Sequence, residues 1–187
     1  MSVAGIFGGF QRAQNEETFL DLGCCFDQDI RKLIHDGAPS ENIIGVDKEA
    51  RFINLGYDLF RDRVTLKARF YTGDVFVENF LGDFHGKIDI IFFGSFLHLF
   101  RFDQQIAIVT LVEKLLCKEK VSLVFGRHIA TEEKGDINKK NALGCDLYHH
   151  SLETIQKLLD SALEDKFIVS SKLMAYISES WDNGANW

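Results

Sequence analysis

The sequence predicts an α/β protein, a Rossmann-like doubly wound and mostly parallel sheet with helices on both faces. Three observations carry this. Short apolar runs alternate with helix-period stretches along the chain. The runs are continuous rather than alternating, as in strands buried on both faces. Each run ends in a glycine or a polar residue: Gly23, Asp47, Gly73-Asp74, Gly94-Ser95 and Gly126-Arg127-His128. In open parallel sheets ligands bind beyond such strand ends, near the point where strand order reverses.

The first unit is Thr18 to His35. Phe19, Leu20 and Leu22 form an apolar strand, Gly23 breaks it, and a helix with the stripe Ile30, Leu33, Ile34 follows. Asp27 or Asp29 can cap that helix. A strand, a glycine turn and a helix together present backbone N–H groups to a ligand. Asp21 lies inside the strand, and a carboxylate is almost never buried without a partner, so it is expected to face a ligand or a counter-charge.

Asp36 to Asn42 reads as a loop and Ile43-Ile-Gly-Val46 as the second strand, with Asp47 at its tip. The separation of 26 positions from Asp21 to Asp47 fits a βαβ unit. An acid at that tip is where nucleotide-binding sheets grip a ribose diol. Glu49 to Arg63 is a predicted helix with Phe52, Leu55 and Leu59 on one side. Ala68 to Thr72 is a third strand, ending in Gly73-Asp74-Val75-Phe76. Ile88 to Phe93 is the fourth and most apolar. Asp103 then opens a helix with Ile106, Val109, Val112, Leu115 and Leu116 inward. Val121 to Phe125 is the fifth strand. Thr131 to Cys145 reads as a mobile loop, and Ser151 caps a helix carrying Leu152, Ile155, Leu158, Leu159, Ala162 and Leu163. Phe167 to Ile177 is β-rich, and 178–187 is a polar tail.

Composition narrows the function classes. A chain of 187 residues, 46% hydrophobic, is expected to form a single domain over 1–187, with 1–17 as an N-terminal arm. The net charge of -7, from 21 basic and 28 acidic residues, argues against a nucleic-acid partner. The apolar run Ile88 to Phe100 is interrupted by Asp89, Ser95 and His98 and is too short for a bilayer. The start has no basic region typical of a signal peptide. A cytoplasmic protein with no membrane partner is therefore expected. Cys24, Cys25, Cys117 and Cys145 form no Cys-x-x-Cys pair, so free thiols and no metal site are expected. Cys24 and Cys25 lie near a helix N-terminus, which can lower a thiol pKa.

At the strand ends the chain resembles class I S-adenosylmethionine-dependent methyltransferases. The resemblance runs from about Thr18 to Leu173. Phe19-Leu-Asp-Leu-Gly23 is similar to the family's first motif, and Phe93-Gly-Ser-Phe-Leu-His98 to the segment after its fourth strand. More narrowly, Leu-Asp-Leu-Gly-Cys-Cys-Phe with Gln-Asp-Ile-Arg-Lys-Leu and Asp-Gly-Ala-Pro resembles fungal small-molecule methyltransferases of terpenoid and polyketide pathways, which methylate carboxyl or hydroxyl groups. The resemblance implies S-adenosyl-L-methionine as cofactor. Asp21 and Gly23 would hold its methionine end, Asp47 the ribose, Asp74 the adenine amino group with Val75 and Phe76 against the ring, and Gly94 and Ser95 the sulfonium side. The ring faces of phenylalanines also attract such a cation. His98 and His128 are the candidate bases for a hydroxyl acceptor, with the His149-His150 pair weaker. Arg127 can clamp a substrate carboxylate.

Two departures stand out. Cys25 and Asp27 occupy positions where the family's turn carries glycine, and the Asp27 carboxylate is expected to oppose the cofactor carboxylate. Only 18 residues precede Phe19, so the pocket is expected to be closed either by a second chain in a symmetric homodimer or by the arm with Thr131 to Cys145 as lid. The leading expectation is O-methylation of a small secondary metabolite. The alternatives are a methyltransferase-like cyclase or isomerase, and a non-catalytic partner subunit.

Overall fold

The computed structural model describes residues 10–15, 17–130, 137–140 and 146–162. A five-stranded parallel sheet is built from β1 (Phe19–Leu22), β2 (Ile43–Asp47), β3 (Arg69–Thr72), β4 (Ile90–Gly94) and β5 (Leu123–Arg127), in the order β3-β2-β1-β4-β5. The helices are α1 (Gln28–His35), α2 (Ala50–Phe60), α3 (Phe102–Leu115) and α4 (Leu152–Ala162). Strand order reverses between β1 and β4, so the ligand crevice of this class of sheet falls beyond Leu22 and Gly94.

Side chains alternate across the sheet because the strand period is two. Phe19, Ile43, Ile90, Phe92 and Phe125 pack on one face against Ile30 and Leu33 of α1 and Ile53 of α2. Leu20, Leu22, Ile44, Val46 and Ile91 pack on the other against Ile108, Val112 and Leu115 of α3. Each fully buried Leu, Ile or Phe contributes roughly 1.5–3 kcal/mol from removal of apolar surface from water. Phe10, expected in an arm free to meet a second chain, packs on its own core, with ring centroids 5.3 Å from Phe125 and 5.5 Å from Phe92.

Several expectations are corrected. The side of α2 carrying Phe52, Leu55 and Leu59 faces solvent, and Ile53 and Gly56 are the buried positions. Ile106 is exposed, and Ile108 takes the inward place on α3. The fifth strand starts at Leu123 rather than Val121, which is 82% exposed. Within the expected loop Thr131 to Cys145, Ile137–Lys140 is a strand, β6, paired antiparallel with β7 (Asp146–His149). Such a charged segment carries no apolar pattern, and its pairing decides its conformation. Asp27 is the N-cap of α1 but makes no side-chain capping bond. Ser151 does cap α4, accepting the Thr154 N–H at 3.3 Å. The expected elements at 167–177 and the tail at 178–187 lie outside the described residues.

Candidate functional site

The strand order sets the candidate residues side by side along one edge: Asp74 after β3, Asp47 on β2, Gly23 after β1, Gly94 on β4 and Arg127 on β5. Neighbouring strands lie roughly 4.8 Å apart, so the row is about 19 Å long.

The glycine turn is wound tightly. Gly23, Cys25 and Asp27 all have positive φ, at 82°, 54° and 60°. A non-glycine residue in this region costs roughly 1–2 kcal/mol, so the turn holds a left-handed conformation at two unfavourable positions. Four of its N–H groups are spent inside the fold. Gly23 and Cys24 donate to the Val46 carbonyl at 2.8 and 3.0 Å, Cys25 to Asp47 Oδ2 at 2.9 Å, and Asp27 to the Cys24 carbonyl at 2.9 Å. The amides of these residues therefore do not form the anion cradle expected from the sequence. Their surroundings are acidic instead, with Asp21, Asp27, Asp29 and Asp47 around the turn.

Asp21 is 3% exposed and makes no side-chain hydrogen bond or ion pair among the described residues. Burial, then the charges of Asp29 and Asp27, raise its carboxyl well above the ordinary range. Asp27 is fully buried against Gly56 of α2, and Arg31 Nη1 lies 3.4 Å from its Oδ2. Burial pushes its pKa up to about 6. The expectation that Asp27 faces a ligand carboxylate is thereby corrected. Arg31 is held by Asp62 through two bonds of 2.7 and 3.0 Å and also donates to the Phe26 carbonyl at 3.1 Å, pinning the turn. Cys24 and Cys25 have their thiol pKa values raised, burial being the largest cause, so neither is activated.

Asp47 accepts the N–H of Cys25 on one oxygen and that of Glu49 on the other, each at 2.9 Å. Asp74 accepts from Lys48 Nζ at 2.7 Å and from the Phe76 N–H at 3.1 Å, and both bonds lower its pKa. Lys48 carried no role in the sequence, although it directly follows Asp47. A cavity of about 300 Å³ opens beside Gly73 at the β3 edge, with Tyr71, Phe80 and Phe84 in its wall. Val75 is half-buried and Phe76 exposed.

Gly94 and Ser95 sit between the turn and β5, and the Ser95 N–H donates to the Arg127 carbonyl at 2.9 Å. Phe96 lies directly over Gly23, where a Cβ would fall 2.3 Å from its ring. Phe96 meets Phe100 at 4.9 Å between centroids, and Phe100 meets Phe76 at 5.5 Å. An aromatic run thus joins the turn to the Asp74 side. Single-residue reading had no signal for it.

His98 and His128 come together, with ring centroids 5.7 Å apart, beyond β4 and β5. His98 is 7% exposed and its Nδ1 has no hydrogen-bond partner among the described residues, nor has either nitrogen of His128. Burial lowers both pKa values, that of His128 to about 3, so both rings are neutral near pH 7. His150 adjoins them and is fixed by Gln105. The Gln105 amide donates to the carbonyls of Phe100 and Tyr148, each at 2.9 Å, leaving its oxygen to accept from His150 Nε2 at 2.8 Å. Among the described residues no group of His, Cys, Asp and Glu is arranged to hold a metal ion.

The chain has relatives in sequence. The chain is 42% identical over 145 residues to the O-methyltransferase phiE of a fungal species, covering 76% of this chain and 48% of that protein. It is 46% identical over 122 residues to the O-methyltransferase atr3 of Stereocaulon alpinum, covering 64% of this chain and 35% of that protein. The chain is similar to fungal methyltransferases. The methyltransferase adrK of Penicillium rubens is 36% identical over 156 residues, 82% of this chain and 56% of that protein. The chain thus spans about half the length of the curated relatives it matches. No family model matches it.

Solved structures show the same fold at low identity. The 1,6-didemethyltoxoflavin-N1-methyltransferase of Burkholderia thailandensis, crystallised with S-adenosylhomocysteine, aligns with TM-score 0.58 and 14% identity over 86% of this chain and 69% of that one. The [4+2]-cyclase SpnF aligns with TM-score 0.61 and 15% identity over 82% and 54%. Among the described residues no helix is long and apolar enough to cross a membrane.

Proposed function

We propose that the chain forms the cofactor-binding part of an S-adenosylmethionine-dependent O-methyltransferase that modifies a carboxyl or hydroxyl group of a small metabolite. The observation that carries this is the row Asp74, Asp47, Gly23, Gly94, set by the strand order beside a turn with three left-handed residues. The residues fit such a cofactor. Asp21 is a buried carboxylate without a partner, suited to a cationic ammonium, and the acidic, phenylalanine-rich surroundings suit a sulfonium. Asp47 and Asp74 are held by donors and keep lone pairs for ribose hydroxyls and an adenine amino group. Val75 and Phe76 would pack on the adenine, and Gly94 and Ser95 would line the sulfonium side.

When bound, the cofactor supplies an activated methyl group open to in-line attack. The chain contributes position and orientation. Phe96 and Phe100 would exclude water from the reacting side. A carboxylate acceptor needs no base. For a hydroxyl acceptor, neutral His98 or His128 would take the proton. Because the fold also occurs in a cyclase, the deciding test is transfer of labelled methyl from S-adenosylmethionine to small organic acids and phenols. A labelled product supports the reading. Cofactor binding with no transfer to any acceptor would favour the cyclase or isomerase alternative.

A further inference from the structure

We propose that the outer face of α2 is a self-association surface, on which a second copy of this chain docks with its own α2 antiparallel, about a two-fold axis beside Leu55. The proposal does not depend on the cofactor reading.

The face is made by Phe52, Leu55 and Leu59, spaced three and then four residues apart, the spacing of helices that pack side by side in pairs. All three are exposed, Leu55 at 52% and Leu59 at 68%. The packing of the helix holds them outward. Ile53 and Gly56 are its buried positions, and a Cβ at Gly56 would lie 2.7 Å from the Phe26 carbonyl oxygen, which fixes the rotation of the helix. Phe26 is exposed as well and widens the patch, its ring centroid 5.3 Å from that of Phe52. Single exposed apolar side chains are ordinary, but a continuous stripe rimmed by charge marks an interaction site.

The rim identifies the partner. Arg51 and Asp58 are exposed and stand seven residues apart on one side of the stripe, two helical turns or roughly 10 Å. A two-fold axis makes each contact reciprocal. With the helices antiparallel and the axis midway between these positions, Arg51 of each copy faces Asp58 of the other. In the same register Phe52 of each copy is level with the gap between Leu55 and Leu59 of the other. Parallel helices would set Arg51 against Arg51 and Asp58 against Asp58. The surface therefore complements itself in one orientation. Within one copy Arg51 meets Glu49 at 3.2 Å and Asp58 meets Arg63 at 3.8 Å, exposed pairs worth little in water and easily exchanged. The 11 residues of α2 span about 16 Å. One such helix offers less than the roughly 800 Å² per partner of a standard interface, so the dimer should be reversible.

The test is sedimentation velocity of the full chain from low micromolar to several hundred micromolar, with circular dichroism of each variant to confirm folding. The parent should pass from monomer to dimer across this range. Leu55→Lys should remain monomeric, and because Leu55 is exposed it should fold as the parent does. Arg51→Asp and Asp58→Arg should each weaken the dimer at least fivefold, and the two together should restore it. A parent that is monomeric throughout overturns the proposal and leaves the face to a different partner. A dimer unchanged by Leu55→Lys places the contact elsewhere and also overturns it. Failure of the double reversal to restore association overturns the antiparallel register.

Discussion

The carboxylate of Asp47 accepts the backbone N–H of Cys25 at 2.9 Å. The acid assigned to the ribose is therefore also a strut that ties the β2 tip to the glycine turn. Its other oxygen holds the Glu49 N–H at the entry to α2. Hydrogen bonds to a charged group are worth about 1.5–3 kcal/mol. Asp47→Ala should lose about 2 kcal/mol of stability in urea unfolding and, in calorimetry, bind S-adenosylhomocysteine at least tenfold more weakly. Loss of binding at full stability would mean that the strut contributes nothing.

Asp27 should make stability depend on pH. Its pKa is raised to about 6 by burial, so its favourable contribution is complete below about pH 4 and lost as pH rises through 6. The loss is about 3 kcal/mol. Its left-handed φ of 60° adds strain that glycine would relieve. Asp27→Gly should therefore be more stable than the parent at pH 7.5, with the advantage shrinking toward pH 4. Urea melts at both values decide this, and an advantage constant with pH would contradict the burial argument.

Gly23 and Phe96 should be energetically coupled. A Cβ at position 23 would sit 2.3 Å from the Phe96 ring, in addition to the strain at φ 82°. Gly23→Ala should cost about 1–3 kcal/mol from overpacking, beyond the backbone strain. In Phe96→Ala the overpacking part should vanish and the strain remain. A double-mutant cycle should give a coupling above about 0.5 kcal/mol. Strict additivity would show that the ring does not rest on the turn.

Much of the fold was legible because burial on both faces leaves unbroken apolar runs. Phe19–Leu22 and Ile43–Asp47 are such runs, and their ends fall as expected. Where residue type and pairing disagree, pairing decides. Val121 has the right chemistry for a strand, yet β5 begins at Leu123, opposite Ile90. The stripe Phe52, Leu55, Leu59 is as apolar as a core face, but the close fit of Gly56 against the Phe26 carbonyl turns the helix the other way. The row of strand-end acids and glycines could be seen in one dimension, since each follows its own strand. The Arg127–Asp29 contact, the ring of Phe96 over Gly23 and the Lys48–Asp74 pair depend on three-dimensional neighbours, and no local pattern marks them. The direction of Asp27, toward Gly56 of α2 rather than toward a ligand, depends on such neighbours too.

The central claim is that this strand-end row binds the cofactor, with buried Asp21 meeting an ammonium. Burial pushes the Asp21 carboxyl well above the ordinary carboxylate range, and a cationic partner favours its ionised form. Binding should therefore expel protons. The direct measurement is calorimetric titration of the parent protein with S-adenosylhomocysteine in two buffers of different ionisation enthalpy. Saturable one-site binding is predicted, with an apparent enthalpy that differs between the buffers and a difference that disappears in Asp21→Asn. Absence of saturable binding would contradict the account, and binding with no proton release would contradict the role given to Asp21.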